Sequence, residues 1–349
     1  MGKGFAVVKV IKLTSEYYEK YNEYLCKKDA LFYVSLKYKD FLEKLLDDES
    51  YYLIAIDNKE IVGILPLFIR RNAEMGNVMN SLPFYGSNGG IIADNDDVRH
   101  VLLNNYYDMA DREKCVSTTI INSPFDKNVD WYEENIAYDY RDQRIGQITF
   151  LPDKSDNIEE ELLGLYHNMV RRCIKKAQKN EISVGIDNSM EAFSFLYDTH
   201  VDNMNRIGGL SKDKKFFDLI PDSFEAGKDY NIYTAKISNK RIAALLIFYY
   251  NSTVEYFTPV TLDEYRTYQP LSLIVYQAMQ DAVLRGYKKW NWGGTWMTQE
   301  GVYDFKRKWG TQDLYYYYYI NIYNKKILDV DKSQILSLYK NYYLFPFNV

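Results

Sequence analysis

Positions 254–310 constrain this chain more than any other stretch. They read V-E-Y-F-T-P-V, then T-L-D-E-Y-R-T-Y-Q-P, then L-S-L-I-V-Y-Q-A-M-Q-D-A-V-L-R-G-Y, then K-K-W-N-W-G-G, and later G-V-Y-D-F-K-R-K-W-G. The pattern predicts a strand, a loop ending in proline, a helix closed by Gly286, a second strand ending at Gly293 and Gly294, and an aromatic-basic segment around Lys306. A strand–loop–helix–strand unit sets the loop and the helix N-terminus beside the strand ends. Ligands bind there in many α/β folds, because the first backbone N–H groups of a helix have no intrahelical partner.

The 349 residues allow two domains of ordinary size. With 47% hydrophobic and 26% charged residues, the composition is that of a globular chain rather than a disordered one. A net charge of -5 lends no support to a non-specific nucleic-acid binder, although it leaves a local basic patch open. Cys26, Cys115 and Cys173 are few and widely spaced, so they imply neither a disulfide framework nor a zinc motif. His100, His167 and His200 stand alone, without the spacing of a metal site. The start, M-G-K-G-F-A-V-V-K-V-I-K, is too short in apolar run for a secretory signal, and no stretch nears the roughly 20 apolar residues of a membrane span. The expectation is a cytoplasmic protein.

Two domains are expected, at 1–147 and 148–349. The first has a strand at 5–13, helices at 15–25 and 38–46, and a hairpin of 51–56 and 60–69 turned at Asp57-Asn58-Lys59. A glycine-rich loop at 81–92, a helix at 97–112 and a strand at 117–122 follow. The second opens with a strand near 148 and one long helix at 155–180, capped by Ser155 or Asp156. A strand at 182–186, a helix at 190–205 and a hairpin of 231–237 and 241–250 lead into the segment described above. Tyr315 to Tyr319 read as a strand, and 331–343 as a final helix. The halves share an order of strand, helices and hairpin, which points to two related α/β domains.

Three segments carry the chemistry. In 162–180, Tyr166, Met169, Val170, Cys173, Ile174 and Ala177 make one apolar face, and Arg171, Arg172, Lys175, Lys176 and Lys179 crowd the rest. Such crowding does not stabilise an isolated helix. It reads either as a solvated face near a helix C-terminus or as a phosphate-binding edge. In the second segment, Lys306 taken alone reads as a surface lysine whose stem covers aromatic rings. Pro270, in the third, preorganises a helix start. The loop from Leu82 to Gly90 serves equally as a turn or as a close backbone approach to a ligand.

Taken together, these segments resemble the FemAB-like transferases of the wider GNAT acyltransferase superfamily, which include peptidoglycan-bridge and surface-polysaccharide members. Phe305, Lys306, Trp309 and Gly310 match F-K-x-x-W/F-G, and Tyr265, Arg266 and Pro270 match Y-R-x-x-x-P. Arg171, Ile174 and Ala177 match R-x-N-I-x-x-A, with Cys173 in place of the asparagine. The glycine signature Q/R-x-x-G-x-G/A of acetyl-CoA binders is absent. The resemblance implies an α/β fold of two tandem GNAT-like domains, each a mixed sheet flanked by helices, with the active groove in the second.

The same resemblance implies an N-acyltransferase, moving an acyl or aminoacyl group onto an amine of a nucleotide-linked sugar or cell-envelope precursor. Lys306 is then the contact to the oxyanion or the donor phosphate, with Asp304 and Asp263 as carboxylate candidates. Arg171, Arg172, Lys175, Tyr303, Tyr256, Trp292, Tyr85 and Gly86 are assigned to the acceptor. Tyr265, Arg266, Pro270, Leu271 and Ser272 are assigned to the donor. The donor is acyl-CoA or, as in peptidoglycan-bridge members, aminoacyl-tRNA; no metal or prosthetic group is implied. The interval 205–231 is too short for the helical arm that some tRNA-dependent members carry, which favours a thioester. A non-catalytic carbohydrate- or nucleotide-binding module keeping the same fold is the alternative from another class.

Overall fold

A computed structural model describes residues 8–84 and 88–345. The chain divides into two compact units, Met1–Arg144 with Tyr315–Val349, and Ile145–Leu314. The C-terminal segment, which the expected 148–349 domain included, is therefore grouped with the first unit. Its hydrogen bonds explain why. Residues Tyr318 to Ile322 pair antiparallel with Ser117 to Ile121. The Tyr343 carbonyl accepts from Asn80 and Thr119, and the Leu344 carbonyl from Ser117.

In the first unit, Lys9–Lys12 and Leu53–Asp57 pair antiparallel, and Leu53–Asp57 pairs with Glu60–Leu65. The hairpin turn falls on Asn58 and Lys59, whose φ values of 48° and 70° are left-handed, as a tight hairpin requires. The strand expected over 60–69 is two, Glu60–Leu65 and Phe68–Arg70. Pro66 separates them because proline cannot donate to a ladder. The two pieces then pair with different strands, Ile92–Ala93 and Asn77–Asn80. Asn77–Asn80 runs parallel to Cys115–Ile121, and the helix Asp96–Arg112 is the crossover. That helix starts where Asn95 accepts from the Val98 N–H at 3.0 Å, with Asp96 and Asp97 in its first turn. Val98, Leu102 and Tyr106 bury one face of it in a core that includes Leu65 and Ile120. Tyr85 and Gly86 lie outside the described residues.

The second unit has the ladder Ser183–Ile186, Tyr230–Ile237, Lys240–Tyr250, Thr253–Thr261, all antiparallel. Its hairpin turns at Ser238 and Asn239, again at positive φ. The helix Pro270–Leu284 then crosses over to Lys289–Trp296, which lies parallel to Thr253–Thr261. This parallel ladder spans only Thr253 to Glu255 against Lys289 to Asn291. Beyond it both strands continue without pairing to each other, and an opening between parallel strands is where an α/β sheet admits a ligand.

The helix expected over 155–180 is broken. The chain forms Ile158–Leu165 and Asn168–Lys179 instead. Tertiary docking at Tyr166 and His167 overrides the periodicity. The Tyr166 ring is buried edge-on to Trp309, with centroids 4.9 Å apart, and its hydroxyl reaches the Met279 sulfur at 3.1 Å. The His167 N–H donates to the Lys308 carbonyl at 2.8 Å, and His167 Nδ1 caps the second helix by accepting from Met169 N–H. Ser155 is not a cap; its hydroxyl donates to Glu161. Val170, Ile174 and Ala177 still form the buried face that the spacing predicts. Among the described residues, no helix is long and apolar enough to cross a membrane.

Candidate active site

The segment Gly301 to Gly310 folds as the helix Glu300–Arg307 followed by a tight turn. Trp309 is buried against Trp292 and Tyr166. Gly310 has φ 73°, and a Cβ there would sit 2.8 Å from the Leu165 carbonyl oxygen, so only glycine fits. The tryptophan and glycine of the motif thus fix the end of the helix, and the helix aims Lys306 inward.

Lys306 is 6% exposed. Its Nζ donates to Thr295 Oγ1 at 2.9 Å and to the carbonyls of Gly293 and Gly294 at 3.3 Å each. All three acceptors are neutral. Burial without a counter-charge pushes the lysine down to about 7. The acceptors lie on the part of Lys289–Trp296 beyond its parallel ladder, where the two strands no longer pair. Gly293, at φ 73°, supplies the bend there, and its N–H donates to Asn291 Oδ1 at 2.9 Å.

A hydrogen-bonded frame holds this arrangement. Thr295 Oγ1 donates to Gln147 Oε1 at 3.0 Å, and Gln147 Nε2 donates to the Tyr303 carbonyl at 3.2 Å. The Tyr303 hydroxyl donates to Asp313 at 2.7 Å. At the last step of the ladder, Asn291 Nδ2 donates to the buried carboxylate of Glu255 at 2.8 Å. Two of the three Lys306 bonds are long, so an oxyanion can replace them at small cost.

Sequence reasoning missed Gln147, Thr295, Asn291 and Glu255. Gln147 and Thr295 carry no local signal, because their partners lie far away in the chain. Glu255 and Asn291 did carry one: a polar residue inside an apolar strand, flanked by Val254 and Tyr256 or by Trp290 and Trp292.

The other assigned residues separate into groups. Tyr303 joins the Lys306 frame, as described. Asp304 does not; it is exposed and pairs with Arg307 at 2.9 Å. Trp292 is a core residue whose indole N–H donates to Thr149 at 2.9 Å, which corrects its assignment to the acceptor. Tyr256 is half-buried and packs on Trp292, with centroids 4.8 Å apart. Arg171 caps the helix break, donating to the carbonyls of Tyr166 at 3.0 Å and Gly164 at 3.4 Å. Arg172 and Lys175 are exposed on the same helix.

The residues assigned to the donor cluster at the start of Pro270–Leu284. Pro270 is the first helical residue, preceded by Gln269 at φ 63°. Ser272 is buried and Leu271 partly so. Arg266 donates to Asn203 Oδ1 at 2.6 Å and pairs with Asp263 at 3.0 Å. Asp263 also pairs with Arg206. These are exposed ion pairs, and Asp263 is engaged by two guanidinium groups. Tyr265 accepts a weak bond from Lys240 at 3.4 Å. This network and the Lys306 frame share no residue. Among the described residues no cluster of histidine, cysteine or carboxylate could hold a metal.

Residues 166–307, which run from Tyr166 to just past Lys306, match the acetyltransferase (GNAT) domain family. No curated protein matches the chain in sequence. Solved structures do match in fold. FemX aligns at TM-score 0.73 and 16% identity, over 92% of this chain and 99% of its own. L-PGS from Bacillus licheniformis aligns at TM-score 0.55 and 12% identity, over 94% and 96%. A tandem GNAT protein from the clavulanic acid biosynthesis pathway aligns at TM-score 0.53 and 7% identity, over 90% and 98%. The family match encloses the buried lysine: residues 166–307 of this chain carry a GNAT acetyltransferase-type domain, and the chain shares its fold with FemX.

Proposed function

We propose that the chain moves an acyl or aminoacyl group from an activated donor onto an amine of a nucleotide-linked sugar or cell-envelope precursor. The observation that carries this reading is Lys306, a buried cation with only neutral acceptors, beside the opening of the parallel strands. The amine nitrogen attacks the donor carbonyl, a C–N bond forms, and the carbonyl oxygen becomes an oxyanion. Lys306 donates to that oxyanion in place of one of its long bonds to Gly293 or Gly294. The intermediate collapses with cleavage of the bond to the leaving group, a thiolate when the donor is a thioester, and the nitrogen loses its proton to solvent. The positive N-terminal end of the helix Pro270–Leu284 receives the donor's phosphates.

The motif resemblance to FemAB-like transferases is what supports an envelope acceptor, and the fold shared with FemX is consistent with it. An acyl-CoA donor fits the GNAT domain, and aminoacyl-tRNA is the alternative. A thermal-shift titration with acetyl-CoA, free CoA, a UDP-linked amino sugar and a muramyl-peptide tests the reading. A rise in melting temperature with CoA species supports the thioester donor. A rise with the UDP-linked compound alone moves the donor to aminoacyl-tRNA. No rise with any of them, together with unchanged turnover in Lys306→Ala, overturns the assignment.

A further inference from the structure

The helix Asn168–Lys179 carries cations that the transfer chemistry does not use, and it carries no acid. Arg171 is engaged by the carbonyls at the helix break. Arg172, Lys175, Lys176 and Lys179 are exposed, and among the described residues none of them enters an ion pair. At about 3.6 residues per turn, Arg172, Lys175 and Lys179 form one row, opposite the buried Val170, Ile174 and Ala177. The row is about 10 Å long, and Lys176 stands beside it. Like charges three and four positions apart repel, so the row destabilises its own helix. The macrodipole offsets this only in the last turn, where Lys176 and Lys179 sit, and does nothing for Arg172 and Lys175. In a chain of net charge -5 the row is a local reversal of sign, and bound negative charge would remove the repulsion.

The packing sets where the row lies. Tyr166, just before this helix, touches Tyr276 and Met279 in the middle of Pro270–Leu284. From there the helix runs against the direction of Pro270–Leu284 and packs on Asp263–Tyr268, the turn just before Pro270. The strand that follows starts at Ser183, paired with Lys236 beside the hairpin turn, and Lys240 of that hairpin reaches Tyr265. Lys175, Lys176 and Lys179 therefore flank the N-terminal end of Pro270–Leu284. The acids of the intervening turn are held by other cations, Asp263 by Arg206 and Arg266, and Glu264 by Lys240.

We propose that Lys175, Lys176 and Lys179 form an outer subsite for the acyl donor. They receive a ribose-linked phosphate that lies beyond the group held at the start of Pro270–Leu284. This rests on the donor reading given above, and it moves Lys175 from the acceptor to the donor. Separate ammonium groups on flexible stems meet phosphate oxygens as point charges. A single carboxylate brings one charge and would leave most of the row uncompensated. Two kinds of donor carry phosphate of this sort. A coenzyme A thioester has a monoester on its ribose, with close to two charges. An RNA has successive diesters along its backbone, one charge each.

The test is calorimetric titration of the full chain, at low salt, with three probes. They are CoA, dephospho-CoA, which lacks only the ribose phosphate, and a short RNA hairpin ending in CCA. The comparison chain combines Lys175→Gln, Lys176→Gln and Lys179→Gln, because glutamine keeps the helix propensity and removes the charge. The expected result is CoA binding about tenfold tighter than dephospho-CoA, with the two equal in the glutamine chain. Arginine at the same three positions is expected to restore the preference. The glutamine chain is expected to melt no lower than the unaltered one, since repulsion has been removed. Binding of the RNA alone, weakened about tenfold in the glutamine chain, assigns the subsite to an RNA donor and removes the thioester. Equal binding of CoA and dephospho-CoA to the unaltered chain, with RNA unaffected by the substitutions, overturns the subsite and leaves the donor reading standing. No binding of any probe overturns both.

Discussion

The two units follow one plan and put different chemistry on it. Each has a hairpin turned by an asparagine at positive φ, and each has a pair of parallel strands joined by a long helix. In each, the second parallel strand leads to a short helix. In the first unit that helix is Val129–Asn135, whose Trp131 and Tyr132 go into the core; the Tyr132 hydroxyl accepts from the Ile91 N–H at 2.8 Å. In the second it is Glu300–Arg307, which buries Lys306. The ladders differ too. All four residues of Asn77–Asn80 pair with the parallel strand, whereas Thr253–Thr261 pairs with its parallel partner over three residues only, while keeping its antiparallel neighbour. The plan sets where a helix points; the residue it carries decides whether the place is a packed apolar core or holds a buried cation.

The largest expected effect tests this contrast directly. Lys306→Ala is expected to lower kcat by about 10²–10³, the cost of removing one oxyanion donor, with the circular dichroism spectrum unchanged. Tyr132→Phe, at the matching helix, is expected to cost about 1 kcal/mol of stability and leave kcat within about twofold. Equal kinetic losses in both would erase the distinction drawn above.

The next effect is in pH. A cationic Lys306 loses its proton as pH rises through about 7, so kcat is expected to fall there. A limb rising through the same pH would instead make the neutral amine the working form. Stability runs the other way. Burial lowers the folded pKa from the ordinary 10.5 to about 7, so the cost of the buried charge is present in full below pH 7 and is relieved as pH climbs towards 10.5. Lys306→Met should therefore melt higher than the unaltered chain at pH 6, and the gap should narrow with rising pH.

Thr295→Val removes the nearest acceptor of the ammonium. We expect the inflection in the pH–rate profile to move below 7 and kcat to fall about fivefold, as the loss of one hydrogen bond of about 1 kcal/mol implies. An unmoved inflection would mean that Thr295 only fills space. The smallest effect belongs to Asp263→Asn. Its exposed ion pairs contribute at most about 1 kcal/mol, and kcat should stay within about twofold in a steady-state assay.

Much of the architecture was legible in local patterns. The two hairpin turns, the proline-started helix at 270 and the glycine that closes it are all set by the conformational limits of single residues. The helix break at Tyr166 was not legible, because it depends on Trp309, Met279 and Lys308, more than a hundred positions away. Lys306 stood out through its motif, but the motif does not say that the lysine is buried. That depends on Thr295 and on Gln147, whose strand lies about 150 positions earlier in the chain. Arg171 shows the reverse error: a crowd of positive charge read as one surface, when one of its members is a cap for carbonyls freed by the break.

The Glu255–Asn291 pair has a consequence for how the second unit assembles. The two residues face each other across the last rung of the parallel ladder, with Trp290 and Trp292 on either side of the asparagine. A slip of one residue would set the buried carboxylate opposite an indole, with no amide to meet it, and would turn each side chain of the strand to the opposite face. Misalignment is thus penalised at the one place where only three rungs hold the strands together. The pair acts as a proofreading element, fixing the alignment of the cleft before any ligand is bound.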